Sequence, residues 1–278
     1  MERFILKEDG TEELFNEEKI KISLLRAGAD EKIASSIVNK VKEQLTGEFV
    51  KTKDVYRLAL GYLKKRQPLV AIKYTLKKAM MNLGPTGYVF EKYIAKILQE
   101  YGFKTQVGKI VKGFCVTHEI DVIAQKDNEY YIMECKYHNN RETKSDVKTT
   151  LYIHARFLDI KRAGDDNVSD YNFSKAWLVT NTKCTSEAIN YANCVNLGII
   201  AWHYPDNMNL EYYIEHKKLY PISILPGLKG KQKEKLMENN ILTIKDLLAN
   251  KPETIGNYIA ADQDLVRKLF TEAEMLFT

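Results

Sequence analysis

The sequence predicts a multidomain protein: an α-helical bundle with a β-hairpin, then an α/β domain on a mixed sheet, then a small all-α tail. The chain has 278 residues, more than the roughly 100–200 of one typical domain. Hydrophobic residues recur at helical spacing at first, and later in alternating, strand-like runs between further helices. In the last part, Pro-Gly and Gly separate short amphipathic helices. We therefore expect domains at residues 1–85, 86–204 and 205–278.

The composition is that of an ordinary globular protein, with 45% apolar and 28% charged residues. No apolar run reaches the ~18 residues of a membrane span, and charges interrupt the start, MERFILKEDG, too early for a secretory signal. We expect a cytoplasmic protein with no membrane partner. The four cysteines form no C-x-x-C pair, which argues against zinc and disulfides. The net charge of +5 is too small to identify a nucleic-acid-binding protein, so any site for a polyanion must be local.

Residues 1–85 begin with a predicted hairpin. Its strands, RFILK and EELF, are joined by EDGT, in which Asp9-Gly10 is a strong turn signal. Three segments with helical periodicity follow, and Thr52 is placed to cap the third. A fourth helix begins near Pro68 and ends at Gly84-Pro85. The pattern predicts a small helical bundle with a hairpin on top.

Residues 86–204 alternate between the two periodicities, which predicts an α/β domain with a mixed sheet. The expected elements, in order, are a helix ending at Gly102, strands around 114–124 and 129–137, a helix over 145–163, a strand at AWLVTN, a helix over 185–195 and a strand at GIIAWH.

The stretch HEIDVIAQKDNEYYIMECKY carries the candidate chemistry. Residues two apart on a strand share a face, so Glu134 and Lys136 point the same way, and the short connection folds the strand of Asp121 back alongside. Two adjacent carboxylates resist ionisation unless a cation lies between them, and such oxygen ligands suit Mg²⁺ or Mn²⁺. The metal would polarise a phosphodiester, and Lys136 would orient or deprotonate a water or stabilise charge on the phosphate. The alternative is a solvated, charged strand face, but the apolar neighbours Tyr131–Met133 favour a semi-buried strand.

These residues resemble the PD-(D/E)xK nuclease superfamily, and within it the Mrr-like restriction endonucleases, over most of 86–204. The resemblance implies that the metal-binding Asp is Asp121 and that ECKY supplies the Glu and Lys, with a further metal contact from the backbone carbonyl of Cys135. It implies a supporting Glu on the first helix, GYVFEKYIAKILQEYGF, which is Glu91. It also implies a polar residue from the helix SDVKTTLYIHARFL, for which Lys148 is our candidate.

Three neighbours of Asp121 qualify this match. Ile120 stands where the superfamily usually has proline. On a regular strand, Glu119 shares the face of Asp121 and would add a carboxylate. His118 faces away, which favours a structural role over a catalytic one.

The front segment, FILKEDGTEELFNEEKIKISLLRAG, resembles the start of an ATP-cone, the regulatory nucleotide-binding domain of ribonucleotide reductases and of their transcriptional repressor. The resemblance covers about residues 3–83 and implies ATP or dATP as an effector. Glu8 stands where relatives usually have Arg or Lys, so one phosphate-neutralising charge is lost, for which Lys77 and Lys78 are candidates to compensate. The alternative is an oligomerisation domain that has lost its ligand. The positions that match the nucleotide contacts of relatives are Ile5, Lys7, Glu13, Asn16, Lys19 and Thr52.

The tail segment LPGLKGKQKEKLMENNILTIKDLL resembles a helix-hairpin-helix, a non-specific DNA-binding element, with Pro226-Gly227 as the hairpin. Its lysines at 229, 231, 233 and 235 would spread around a helix instead of forming one stripe. Such units also serve as packing modules, so DNA contact and packing stay as alternatives.

Together these patterns predict a Mg²⁺-dependent endodeoxyribonuclease, regulated by ATP or dATP, in a restriction system, in defence or in DNA repair. A nucleotide-sensing DNA-binding regulator without cleavage activity is the alternative, and cleavage of structured RNA is a third hypothesis. A double-strand cut would need two sites, and because one chain carries one site it would point to a homo-oligomer.

Overall fold

The computed structural model of the protein describes residues 3–7, 10–84 and 86–277. Glu8, the Asp9 half of the predicted turn and the predicted helix stop at Pro85 lie outside the described residues. The fold has the three predicted parts in the predicted order: a helical bundle on a small sheet, a mixed-sheet domain and a helical tail.

The first part packs helices against a three-stranded sheet. Strand β1 (Phe4–Leu6) pairs antiparallel with β2 (Glu12–Leu14), as the hairpin prediction required, and parallel with β3 (Phe49–Lys51). The sequence did not predict β3, because three residues are too few to show an alternating pattern. The helices are α1 (Glu17–Arg26), α2 (Glu31–Gln44), α3 (Thr52–Arg66), α4 (Pro68–Tyr74) and α5 (Leu76–Met80).

Two local predictions in this part were wrong. The helix expected from Pro68 is divided at Thr75, whose hydroxyl donates to the Ile72 carbonyl at 2.7 Å and so competes with the helical hydrogen-bond ladder. Thr52 begins α3 but does not cap it. The N-cap is Lys51, and the Thr52 hydroxyl donates across to the Leu6 carbonyl at 3.4 Å.

The second part is a five-stranded mixed sheet in the order β10 (Gly198–Ile200), β8 (Phe173–Thr180), β6 (Glu129–Lys136), β5 (Thr117–Lys126) and β4 (Lys104–Lys112). Strand β5 pairs antiparallel with both β4 and β6, and β8 pairs parallel with both β6 and β10. The strand expected at 114–124 begins three residues later, and the edge strand β4 was not predicted because its mostly exposed side chains give no apolar alternation. The elements are α6 (Gly87–Glu100), β4 (Lys104–Lys112), β5 (Thr117–Lys126), β6 (Glu129–Lys136), β7 (Lys144–Ser145), α7 (Val147–Asp165), β8 (Phe173–Thr180), β9 (Lys183–Cys184), α8 (Ser186–Cys194) and β10 (Gly198–Ile200).

The third part is helical. Pro226-Gly227 forms a turn between a three-residue 3₁₀ helix and the first longer helix. Lys233 turns inward, donating to the Ser223 carbonyl at 3.0 Å, and burial lowers its pKa. The helices are α9 (Leu210–His216), α10 (Gly230–Glu238), α11 (Ile244–Leu248), α12 (Pro252–Ile259) and α13 (Gln263–Met275). No helix in the described ranges has the length and apolar character that crossing a bilayer requires.

A single apolar core joins the second and third parts. It extends from α5 and α6 through one face of the sheet to the tail helices. Hydrogen bonds also join the parts: the buried Tyr93 hydroxyl donates to the Leu219 carbonyl at 2.6 Å between the second and third parts, and Ser223 of the third part donates to the Ala79 carbonyl of the first at 2.8 Å. The domain limits at 85 and 204 remain predictions, because this core is continuous across both.

We expect Tyr93→Phe to lower the free energy of unfolding by about 1–3 kcal/mol, because it leaves the buried Leu219 carbonyl without its donor. Urea denaturation measures the change. Tyr88→Phe, on the same helix but exposed, is the matched control and should change little. Equal stabilities of the two variants would contradict this account of the boundary.

Candidate active site

The pairing of β5 with β6 sets the position of the two central carboxylates. Their ladder ends with Val122 opposite Met133, so Asp121 and Glu134 are the next residues beyond it, one on each strand. There the Asp121 carboxylate, not a backbone carbonyl, accepts the Cys135 N–H at 2.7 Å. The antiparallel hairpin therefore brings the predicted Asp and Glu together and fixes the Asp by a backbone hydrogen bond.

Four carboxylates act on one another here. Burial, and then the Asp121 charge, raise the pKa of Glu134 to about 7. Burial, and then the charges of Asp121 and Glu119, raise the pKa of Glu91 on α6 to about 7. Burial also raises the pKa of Asp121, although its hydrogen bond from Cys135 opposes the shift. The site thus concentrates negative charge that the surrounding protein compensates only in part.

Two cations oppose that charge. Lys136, exposed at the end of β6, lowers the pKa of Asp121 and Glu134 by its charge. The Arg156 guanidinium donates to the Glu134 carboxylate at 2.7 Å and to the Glu119 carbonyl, and lies over the Tyr152 ring at 5.2 Å. Glu134 and Lys136 flank the buried Cys135, which faces the apolar core, as the alternation of a strand requires.

Arg156 was missed by the sequence reasoning, which chose Lys148 from the same helix. Lys148 lies about two turns earlier, where its charge acts on Asp146. The buried positions of α7 include Ile153 and Ile160, and Arg156 lies three residues after the first and four before the second. That spacing places Arg156 on the face of α7 that is directed toward the sheet. The spacing is therefore the feature of the sequence that could have identified Arg156 as a site residue.

His118 and Glu119 divide as the alternation predicted. The His118 ring nitrogen Nε2 lies 2.7 Å from the Asp159 carboxylate on α7, away from the acidic cluster. Asp159 also accepts the Cys115 N–H at 2.7 Å and the Val116 N–H at 3.4 Å. The hydrogen bond from His118 and these two backbone hydrogen bonds lower the pKa of Asp159 to about 2. His118 therefore anchors the β4–β5 turn to α7, while Glu119 faces the cluster and raises the pKa of Glu91.

The donor set fits a hard divalent cation that keeps part of its water shell. In the part of the chain that the structure describes, no group of three or more His, Cys, Asp or Glu side chains is arranged to hold a metal. Asp121 and Glu134 supply carboxylate oxygens at the end of the β5–β6 ladder, and metal binding by these two residues and by the Cys135 carbonyl stays a prediction. Mg²⁺ commonly binds through one or two carboxylates, with water and substrate phosphates completing its octahedron. The mutual repulsion of the carboxylates is the observation that favours such an ion.

The predicted nucleotide contacts of the first part lie around its hairpin. Glu13 accepts from Lys7 at 3.0 Å and from Lys19 at 2.9 Å, and these hydrogen bonds lower its pKa. Asn16 caps α1, accepting the N–H groups of Glu18 and Lys19. Ile5 is buried in the core of the bundle, and the Thr52 hydroxyl reaches β1. Lys7, Glu13 and Lys19 therefore lie together, and nucleotide contact by this set stays a prediction.

Three family models match the chain in succession. Residues 3–80 match the ATP cone domain, residues 84–206 match the restriction endonuclease model, and residues 220–277 match the model described as AF1548-like, C-terminal. This confirms the predicted fusion of an ATP-cone with an Mrr-like nuclease domain. The tail that resembled a helix-hairpin-helix corresponds to the AF1548-like model.

Relatives align with most of the chain. An uncharacterized protein of Archaeoglobus fulgidus is 35% identical over 181 residues, covering 65% of this chain and 98% of the relative. The crystal structure of AF1548, a protein of unknown function, superposes with a TM-score of 0.58 at 34% identity, over 69% of this chain and 98% of that one. Can2 from Sulfobacillus thermosulfidooxidans, in complex with cyclic tetra-adenylate, superposes at a TM-score of 0.32 with 13% identity, covering 66% of this chain and 50% of that one. That last likeness is too low to carry an argument. The two closer matches show that the chain belongs to the AF1548-like family, with an ATP-cone in front of its restriction-endonuclease-like domain.

Proposed function

We propose that this protein is a metal-dependent endodeoxyribonuclease that ATP or dATP regulates through the ATP-cone. The observation that carries the proposal is the cluster of Glu91, Asp121 and Glu134, whose pKa values are all raised, beside Lys136 in a restriction-endonuclease-like domain. Burying charges that repel one another destabilises a fold, and such clusters are found preferentially at functional sites.

Each residue of the cluster has a role in this proposal. Asp121, Glu134 and the Cys135 carbonyl would hold Mg²⁺ or Mn²⁺, which when bound polarises a phosphodiester and lowers the pKa of a coordinated water. Lys136 orients the attacking water and offsets charge that develops on the phosphate. Arg156 fixes the rotamer of Glu134 through its ion pair.

Glu91 has a raised pKa, about 7, so near neutral pH it is poised to exchange a proton with water in the site. DNA is the proposed substrate, and restriction, defence or repair the proposed setting.

One observation favours the alternative of a nucleotide-sensing DNA-binding regulator. The Arg156–Glu134 ion pair compensates one carboxylate without a metal, so the site could persist as a purely structural cluster. Such a protein would bind DNA without a metal, respond to ATP and cut no strand.

The deciding experiment incubates the purified full chain with unmodified and methylated plasmid, with Mg²⁺ or Mn²⁺, and with or without ATP. We expect nicking that depends on the metal, is lost in Glu134→Ala and changes with ATP. Intact plasmid under every condition, together with metal-independent DNA binding, would support the regulator instead.

Arg156 and Lys148 provide a matched pair on one helix. We expect Arg156→Ala to lower the cleavage rate by about 10²-fold, because Glu134 loses its orienting partner, and Lys148→Ala to stay near the rate of the unchanged protein. The measurement is the initial rate of nicking at saturating Mg²⁺. The reverse order of effects would restore Lys148 as the residue that α7 contributes to the site.

A further inference from the structure

A cleft of about 830 Å³ lies between the ATP-cone and the nuclease domain. Lysines and arginines outnumber carboxylates along its walls, and they come from both sides. The cone contributes Lys19 and Lys73, and the nuclease domain contributes Arg141, Lys144 and Lys183. The cleft therefore has the charge of a site for an anion.

Two of the carboxylates in the cleft already have partners. Glu211 lies 3.3 Å from the ring nitrogen Nδ1 of His203, and Glu215 accepts from the Tyr220 hydroxyl at 2.8 Å. Their charges still act on the basic side chains, that of Glu211 on Lys77 and that of Glu215 on Lys73. The lysines and arginines of the lining nevertheless outnumber its glutamates, even when Glu13, the partner of Lys7 and Lys19, is included, so a positive surplus remains.

An aromatic pair forms part of the cleft on the cone side. Tyr56 and Tyr74 stack at 5.2 Å between ring centroids, and the Arg141 guanidinium of the nuclease domain lies over Tyr56 at 5.5 Å. Burial raises the pKa of Tyr56 to about 12, against the charge of the neighbouring Arg141 and a side-chain hydrogen bond with it. Aromatic side chains next to cations suit a nucleoside joined to phosphates.

Lys77, on α5, is a half-buried residue of the cleft wall. Its ammonium donates to the Asn181 carbonyl at 2.6 Å and lies over the Trp202 ring at 4.5 Å. Burial, and then the charges of Arg141 and Lys183, lower its pKa to about 7. Arg141 and Lys183 thus repel the Lys77 charge, Glu211 and Glu142 offset part of that repulsion, and a bound anion would reduce it further.

Asn181 connects Lys77 to the segment that follows the active-site strand β6. Its side chain is fully buried, accepts the His138 N–H at 2.9 Å and donates to the His138 carbonyl at 2.9 Å. His138 lies two residues after Lys136, and Arg141 is three residues further along the same segment. A ligand held by Arg141 and Lys77 would therefore contact this connection at two places. Arg141 lies on the segment that follows Lys136, and Lys77 is hydrogen-bonded to Asn181, which holds His138 of the same segment.

We propose that this cleft is a composite site for a nucleoside polyphosphate, in which Arg141 and Lys183 of the nuclease domain bind the phosphates of a nucleotide held by the cone, and that its occupancy orders residues 137–145 behind Lys136. The inference rests on the nucleotide-binding half of the proposed function and adds the second set of contacts and the route of regulation. A ligand that contacts both domains stabilises one arrangement of them, so binding and the nuclease site are coupled reciprocally.

The first test is calorimetric titration of the full chain with ATP, AMP and tripolyphosphate. Arg141→Ala and Lys183→Ala should each raise the Kd for ATP about tenfold, because each removes a charged hydrogen bond to phosphate, and should raise the Kd for AMP less. Lys109→Ala, an exposed lysine on β4, is the charge-matched control and should bind ATP normally. Tripolyphosphate should bind more weakly than ATP, because it offers nothing to the tyrosine pair.

The outcomes separate this inference from the proposed function. ATP binding that is lost in Lys19→Ala but unchanged in both nuclease-domain variants would overturn the composite site and leave the cone as the nucleotide-binding domain. No nucleotide binding by the unchanged protein would overturn both. Equal affinity for tripolyphosphate and ATP would overturn the nucleoside part.

The proposed ordering of residues 137–145 is tested separately, by measuring hydrogen exchange of the backbone amides of this segment. ATP should slow exchange there in the unchanged protein and not in Arg141→Ala, at a nucleotide concentration that saturates both. Circular dichroism of each variant checks that the fold is retained. ATP binding without slower exchange in this segment would overturn the proposed route to Lys136.

Discussion

Lys136→Ala is expected to reduce DNA cleavage by about 10³-fold or more while leaving the fold intact. Lys136 is exposed at the end of β6, so its removal creates no cavity and costs little stability. Its charge acts on both Asp121 and Glu134, so we expect it to act also on a phosphate bound beside those carboxylates. Positioned charges and proton-transfer groups each contribute about 10²- to 10⁴-fold to rates of this kind.

Lys136→Arg distinguishes the two roles open to this residue. Arginine keeps the positive charge but does not give up a proton near neutral pH. Retention of much of the rate in Lys136→Arg would assign electrostatic stabilisation of the phosphate, whereas loss equal to that of Lys136→Ala would assign proton transfer or orientation of the water.

The matched control is Lys112→Ala, which removes an exposed lysine from the edge strand β4. Single-turnover cleavage of a labelled duplex and thermal melts are measured for all three variants. A Lys136→Ala rate within about tenfold of the unchanged protein would remove the largest supporting element of the nuclease proposal, since one positioned charge should contribute more than that.

The pairing of Asp121 with Glu134 was predictable because a short hairpin leaves little choice of register. The alternation in HEIDVIA and YYIMECK assigned Glu134 and Lys136 to one face and Cys135 to the other, and the structure has that arrangement. Local periodicity suffices where both partners are close in the chain.

The features that the sequence did not predict depend on contacts between residues far apart in the chain. Arg156 reaches Glu134 from 22 residues away, and β3 pairs with β1 across more than forty positions. Such contacts depend on how helices and strands pack together, which no local pattern specifies. The cleft between the cone and the nuclease domain could not be predicted for the same reason, because Arg141 and Tyr56 are far apart in the sequence and come together only in the folded protein.

The metal-free protein is expected to lose stability as the pH rises from about 4.5 to about 7. The pKa of Glu134 is raised from 4.5 to about 7 by burial and by the Asp121 charge. The unfolded chain therefore gives up this proton first, and ionisation favours unfolding throughout that window. Above pH 7 both states are ionised and the cost is constant, about 3 kcal/mol for a shift of this size. Glu134→Gln still accepts a hydrogen bond from Arg156 but does not titrate, so it should be more stable than the unchanged protein at pH 8 and equal to it near pH 4.

Mg²⁺ should reverse this dependence, because a metal binds the ionised carboxylates and stabilises the folded state by mass action. We expect Mg²⁺ to raise the Tm of the unchanged protein at pH 8, to raise it little at pH 5, and to have no effect on Glu134→Gln at either pH. Thermal melts with and without Mg²⁺, at both pH values, measure the changes in Tm, and urea denaturation under the same conditions measures the differences in free energy of unfolding. Equal gains from Mg²⁺ in the two proteins would mean that the ion binds elsewhere, and a Glu134→Gln protein less stable than the unchanged one at pH 8 would mean that the Arg156 ion pair outweighs the repulsion among the carboxylates.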